Sequence, residues 1–174
     1  MDDATFKTWY ELEHPRVVSA LTAITGHPSV AREATDEAFV RAYERWGRIF
    51  VMASPGGWVH RTALNVARRH LRRRGHEQRL LIRVAGGSSA EAPPPDWSLE
   101  LWEALRGLPR REREAIALRH VGDLPIAEVA AAMGVTVGTA SSTLHSARQR
   151  LNAVLGDVPA ASTGTPLPEE ATDA

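Results

Sequence analysis

The sequence predicts an all-α protein built as two helical domains joined by a flexible linker. Three observations predict it. Apolar residues recur at spacings of three and four through most of the chain, as in helices with one buried face. The stretch RVAGGSSAEAPPPDWS breaks that periodicity with glycines, serines and three prolines, so it reads as a connector. The net charge of zero conceals blocks: residues 58–83 hold eight arginines against Glu77 alone, and residues 84–109 hold four acids and one base. Domains are expected at 5–76 and 98–156, with a flexible linker at 77–97. Residues 157–174 carry four acids, no base and several prolines, and are expected to be disordered.

In chain order, Phe6, Trp9, Tyr10, Leu12, Val17, Val18, Leu21 and Ile24 predict two helical pieces or one kinked helix, broken around His14-Pro15 and ending at Gly26. Pro28 can open the next helix. Its apolar stripe is Ala31, Ala34, Thr35, Ala38, Phe39, Ala42, Tyr43 and Trp46, with Arg32, Glu33, Asp36, Glu37, Arg41 and Glu44 outside. Residues 47–57 read as a loop. Ser54-Pro55 then signals a third helix, which buries Trp58, Val59, Ala63, Val66, Ala67 and Leu71. Its polar side carries His60, Arg61, Asn65, Arg68, Arg69, Arg72 and Arg73. Arginines with an asparagine suit neutralisation of a nucleic-acid backbone and contact with unpaired bases.

The second domain opens on Leu99, Leu101, Trp102 and Leu105, followed by a helix starting at Pro109 that turns Ala115, Ile116, Leu118 and Val121 inward. Its last part carries the most information. Ile126, Val129, Ala130 and Met133 mark one helix, and Gly134 suits a left-handed helix end. Thr136 can cap a second helix, in which Val137, Ala140, Leu144, Ala147, Leu151 and Val154 alternate at three and four. Small residues at Ala130 and Gly134 let the two backbones cross closely. This is the helix-turn-helix design, whose second helix offers its first turns to the DNA major groove. Gly138, Thr139, Ser141, Ser142 and His145 lie on the exposed side, with Arg148, Gln149 and Arg150 within reach of phosphate. A plain two-helix corner in a bundle shows the same pattern.

With no cysteine, the chain offers no disulfide, thiolate nucleophile or zinc finger. No apolar run is long enough to span a bilayer, and Met1-Asp2-Asp3 lacks the basic start of a signal peptide. A cytoplasmic protein is expected, without cofactor or metal.

The wording LPRREREAIALRH, then IAEVAAAMGVTVGTASSTLHSARQRL, resembles region four of the extracytoplasmic-function (ECF) sigma factors of the sigma-70 family. The pattern there is LPxxxRExxxLR, then EIAxxLGxxxGTVKSRLxRAxxxL. AREATDEAFVRAYERW and WVHRTALNVARRHLRRR resemble region two. The resemblance covers almost all of residues 6–156 in order. It implies a sigma factor, not an enzyme, that binds core RNA polymerase and directs promoter-specific initiation. Region two would dock on the polymerase clamp coiled coil through Glu33, Asp36, Glu37, Phe39 and Arg41. Arg61 and Asn65 would engage the promoter −10 element during melting, with Arg68, Arg69, Arg72 and Arg73 on phosphates. Region four would read the −35 element through Thr139, Ser141, Ser142 and His145, with Arg148 and Arg150, and would grip the polymerase flap. The acidic linker would thread the RNA exit path, and an anti-sigma factor is an implied partner.

The chain departs from the family where Ser141, Thr143 and Ser146 replace lysine, arginine and arginine. Losing three cations is expected to flatten the salt dependence of DNA binding by up to about three units of slope. Thr62, Leu64 and Arg69 replace isoleucine, arginine and aspartate, and Arg32 replaces an acid. Three rival functions are a stand-alone helix-turn-helix regulator, an initiation-defective polymerase-binding modulator and a metal hydrolase using His60, His70 and His76. The first leaves the arginine helix and acidic face unexplained. The last lacks the i, i+4 spacing of a helical metal pair.

Overall fold

The computed structural model describes residues 3–81 and 97–156, all as helices and short connections. Helix α1 (Asp3–Thr25) is unbroken, although Pro15 lies inside it and removes one backbone donor. Packing on both sides of the proline holds it: Phe6 and Trp9 before, Val17 and Leu21 after, all pack into the first unit. Gly26 ends it at φ +69, a left-handed conformation that glycine adopts at no steric cost.

Helix α2 (Pro28–Glu44) begins on its proline as expected. A single turn, α3 (Trp46–Ile49), overlaps the start of the predicted loop. It forms because Trp46 and Ile49 are both buried, a tertiary cause that a loop-like local sequence does not reveal. Helix α4 (Pro55–Leu81) is started by Ser54, whose Oγ accepts from Gly57 N at 2.9 Å. It runs on through Leu81, so the domain boundary expected at 76 falls inside a helix. The rest of the expected linker and the expected tail from 157 lie outside the described residues. Val17, Leu21, Val30, Phe39, Val59 and Val66 form the core of this first unit. Each is worth about 1.5–3 kcal/mol relative to exposure.

In the second unit, Ser98 caps α5 (Leu99–Gly107) by accepting from Leu101 N at 3.1 Å. Helix α6 (Arg110–Ile116) widens into a π-helical turn, Ala117–Val121, closed by Gly122 N donating to Ala117 O at 2.9 Å. Helices α7 (Ile126–Met133) and α8 (Val137–Leu155) are joined through Gly134 at φ +70. Thr136 Oγ1 accepts from Thr139 N at 3.2 Å, the expected cap.

The two units share a core. Ala23 and Ile24 of α1 and Leu64 of α4 belong to the same buried cluster as Leu105, Leu118, Val129 and Leu144. Two buried polar groups sit at this junction. Glu114 of α6 receives Arg68 of α4 at 2.9 Å and is 1% exposed. His60, placed by the sequence reading on the polar side of α4, is fully buried, and Nδ1 donates to Gly56 O at 3.0 Å. A Cβ at Gly122 would lie 2.8 Å from His60 Nε2 and 2.9 Å from Leu118 O. Gly122→Ala is therefore expected to destabilise the chain by about 1–3 kcal/mol, because a carbonyl cannot retreat as a side chain can. The check is the urea midpoint, and an unchanged midpoint would show that the junction yields freely.

Candidate nucleic-acid and polymerase interface

Helix α8 presents its predicted face. Thr139, Ser141, Ser142, His145, Arg148 and Arg150 are all exposed, while Ala140, Leu144, Ala147 and Leu151 point into the core. The start of this face is stiffened locally. Thr136 and Thr139 share a hydroxyl contact at 2.9 Å, and Ser142 Oγ donates to Thr139 O at 3.0 Å. The two arginines are tethered to α6 and the π turn that follows it. Arg148 Nη2 meets His120 Nε2 at 3.1 Å, and Arg150 Nε lies 3.0 Å from a Glu112 carboxylate oxygen. The Arg148–His120 contact is at the surface, where a phosphate could displace it cheaply, whereas the Glu112 carboxylate that holds Arg150 is largely buried.

The arginine face of α4 divides. Arg61, Asn65, Arg69, Arg72 and Arg73 are exposed. Arg68 is held by Glu114 across the junction. Arg69 reaches back to α2, where Nη2 donates to Glu37 Oε1 at 2.6 Å. Just before α4, Phe50, Val51 and Met52 stand exposed in a row, at 55%, 77% and 43%. The sequence reading took this stretch as a loop without marking its apolar side chains, although three adjacent large apolar residues in a loop were a readable signal.

On α2 the acidic face is partly occupied from within. Glu37 takes both Arg41 and Arg69, and the Arg69 guanidinium holds its carboxyl below the usual carboxylate range. Glu33 faces His70 at 3.6 Å and Arg74 at 3.6 Å. Asp36 accepts from His14 at 2.8 Å and remains 56% exposed. Phe39 requires a correction. It is 2% exposed, with its ring 5.0 Å from those of Trp9 and Tyr10, so it is a core residue and not a docking contact. The exposed apolar residues of α2 are instead Val40 and Tyr43, a pair three apart on one face. Tyr43 belongs to the apolar stripe by spacing, yet it is exposed.

Two histidines at or near the junction resist protonation. Burial pushes the His60 imidazole below its ordinary value, opposed by the Gly56 carbonyl and reinforced by Arg16. Burial lowers His120 too, with Arg148 and Arg119 adding to it. A folded-state value below the unfolded one means that the unfolded chain takes up protons first as pH falls through about 6.5. Stability is then fully present above that pH and declines below it. The urea midpoint is expected to fall between about pH 7 and about pH 5.5, with a shallower fall in His60→Gln. Equal slopes in both proteins would remove His60 from the account.

A helix-turn-helix with an open reading face, packed on a second helical unit that carries an arginine stripe, defines a two-unit DNA-engaging protein. The Sigma-70 region 2 family model matches residues 9–77, and the Sigma-70, region 4 model matches residues 98–151. The ECF RNA polymerase sigma factor SigE of Mycolicibacterium smegmatis is 31% identical over 164 residues, covering 86% of this chain and 62% of that one. The RNA polymerase sigma-E factor of Streptomyces antibioticus is also 31% identical, covering 71% of this chain and 69% of its own length. Among solved structures, the sigma factor RpoE of Bartonella quintana, crystallised with the anti-sigma factor NepR, shares the fold. Its TM-score is 0.75 at 23% identity, over 89% of this chain and 99% of that one. The chain belongs to the sigma-70 family, in its ECF branch. No helix among the described residues is long and apolar enough to cross a membrane.

Proposed function

We propose that this chain carries core RNA polymerase to promoters in the cytoplasm by binding and positioning, with no catalytic chemistry of its own. The observation that carries the reading is the open face of α8 above a complete helix-turn-helix, with Thr139, Ser141, Ser142 and His145 exposed together. Hydroxyls and an imidazole at those places suit base edges of the −35 duplex, and Arg148 and Arg150 suit its phosphates. The −10 element falls to α4 and the segment before it. Arg61, Asn65, Arg69, Arg72 and Arg73 line a cationic track, and Phe50 offers a ring on which an unpaired base can stack. Arg68 joins that track once it leaves Glu114.

Helix α2 docks on the polymerase clamp through Asp36 and the outer sides of Glu33, Glu37 and Arg41, with Val40 and Tyr43 supplying apolar contact. Helices of the second unit grip the flap. An anti-sigma factor is a further partner, a reading supported by the fold shared with a sigma factor crystallised in such a complex.

The test is runoff transcription with purified core polymerase on a library of promoter fragments. Selective start sites that appear only when the chain is added support the reading, and a polymerase indifferent to the chain would overturn it. Asp36→Arg is the sharpest variant, since Asp36 is exposed and is paired with His14 at the surface. Association with core polymerase is expected to weaken at least about tenfold with helicity unchanged, scored by competition binding, as for loss of an interfacial charge pair.

A further inference from the structure

A cleft of about 460 Å³ lies at the junction, walled by α4 on one side and the start of α6 on the other. Arg68 and Arg72 come from the first unit, Arg110 and Arg113 from the second, and Glu114 is the one acid among the described lining residues. That carboxylate is already shared, since Arg68, Arg110 and Arg111 approach it at 2.9, 3.0 and 3.8 Å. The cleft is left with more positive charge than its own residues neutralise. Two further observations agree. The Nε atoms of Arg68 and Arg113 are buried with no hydrogen-bond acceptor. Burial disfavours the charge of Arg113, and neighbouring Arg106 and Arg110 disfavour it further, with Glu114 offsetting only part. The floor, by contrast, is apolar: Ile24, Leu64, Ala67 and Leu71.

We propose that this cleft binds a small polyphosphate anion, its phosphates held by Arg68, Arg72, Arg110 and Arg113 and any organic portion lying on the Leu64–Leu71 floor. Guanidinium groups match phosphate oxygens with paired, charge-assisted hydrogen bonds. The volume falls in the range of small-molecule sites. Duplex DNA does not enter, because a cleft of about 460 Å³ whose walls meet at the Arg68–Glu114 contact has room for a small molecule only. Since both units supply arginines, the anion binds only the packed arrangement and stabilises it in proportion to its concentration above Kd. On the sigma-factor reading, it would hold Arg68 and Arg72 away from promoter DNA. Binding itself does not depend on that reading.

The experiment is calorimetric titration and thermal unfolding of the full chain with sodium pyrophosphate and, in a second arm, with ADP, at constant ionic strength. Saturable binding with a raised Tm is expected. Tighter binding of ADP assigns the apolar floor to an organic phosphate, and equal binding assigns the site to the inorganic anion. Arg72→Gln, at an exposed rim position, is expected to weaken either ligand about tenfold, as for loss of a hydrogen bond to a charged group. Arg72→Glu is expected to abolish binding, and Arg48→Gln, far from the cleft on α3, to leave it unchanged. No saturable heat from either ligand would overturn the proposal, as would equal losses in Arg48→Gln and Arg72→Gln, or a Tm rise reproduced by sodium chloride. These measurements contain no polymerase or promoter, so their failure is distinct from failure of the transcription assay.

Discussion

Glu114→Gln is expected to destabilise the folded chain by about 3–5 kcal/mol, the cost of removing one member of a buried ion pair. The substitution is nearly isosteric, so the effect is electrostatic. Three guanidinium groups, from Arg68, Arg110 and Arg111, would face a neutral amide that is 1% exposed in the parent protein. Arg68 spans the two units, so part of the loss falls on their packing. The urea midpoint should drop and the radius of gyration from small-angle X-ray scattering should rise, while helicity is largely kept. An unchanged midpoint together with an unchanged radius would show that the Arg68–Glu114 contact fastens nothing.

Leu64→Ala should have the second largest effect, about 2–5 kcal/mol for a truncated core leucine. Leu64 is 1% exposed, and the cluster around it belongs mostly to the second unit. Val66, two residues on, lies wholly in the core of the first. Leu64→Ala is therefore expected to expand the molecule as well as weaken it, whereas Val66→Ala weakens it without expansion. Identical scattering from both variants would argue that the units open independently of this side chain.

These two residues also mark where sequence reasoning reaches its limit. The helix-turn-helix was legible because its determinants are local: Gly134 must turn left-handed, Thr136 must cap, and the inward residues of α8 keep helical spacing. The exposed face of α8 follows from the same spacing. Leu64 and His60 were not legible in this way. Periodicity identifies the face of α4 that packs on α1 and α2, but a second covering, by α6 and α7, comes from residues more than 45 positions away. On the bare helix His60 looks like one more polar group beside Arg61. Only the approach of Gly122, which has no side chain to keep it off, makes room to bury it. Likewise, an acidic face on α2 and a basic face on α4 were both apparent, yet neither charge pattern says that Glu37 and Arg69 meet each other. Phe39 shows the opposite error. Its position in an apolar stripe placed it in the core, as it is, while alignment with a docking motif placed it outside.

The wide turn at Ala117–Val121 has a consequence for how these parts are phased. A π turn accommodates one residue more than an α-helix would, and each residue of an α-helix turns the chain by about 100°. Deleting one residue from the regularly wound part of α6, where no wide turn absorbs the change, would swing everything after it by about that angle relative to the start of α6. His120 would then no longer meet Arg148 on the reading helix, and the backbone at Gly122 would no longer lie against His60. The register of this one stretch thus sets, at once, the bearing of the groove-reading helix and the seat of the neighbouring unit, so the two alignments cannot drift apart by separate substitutions.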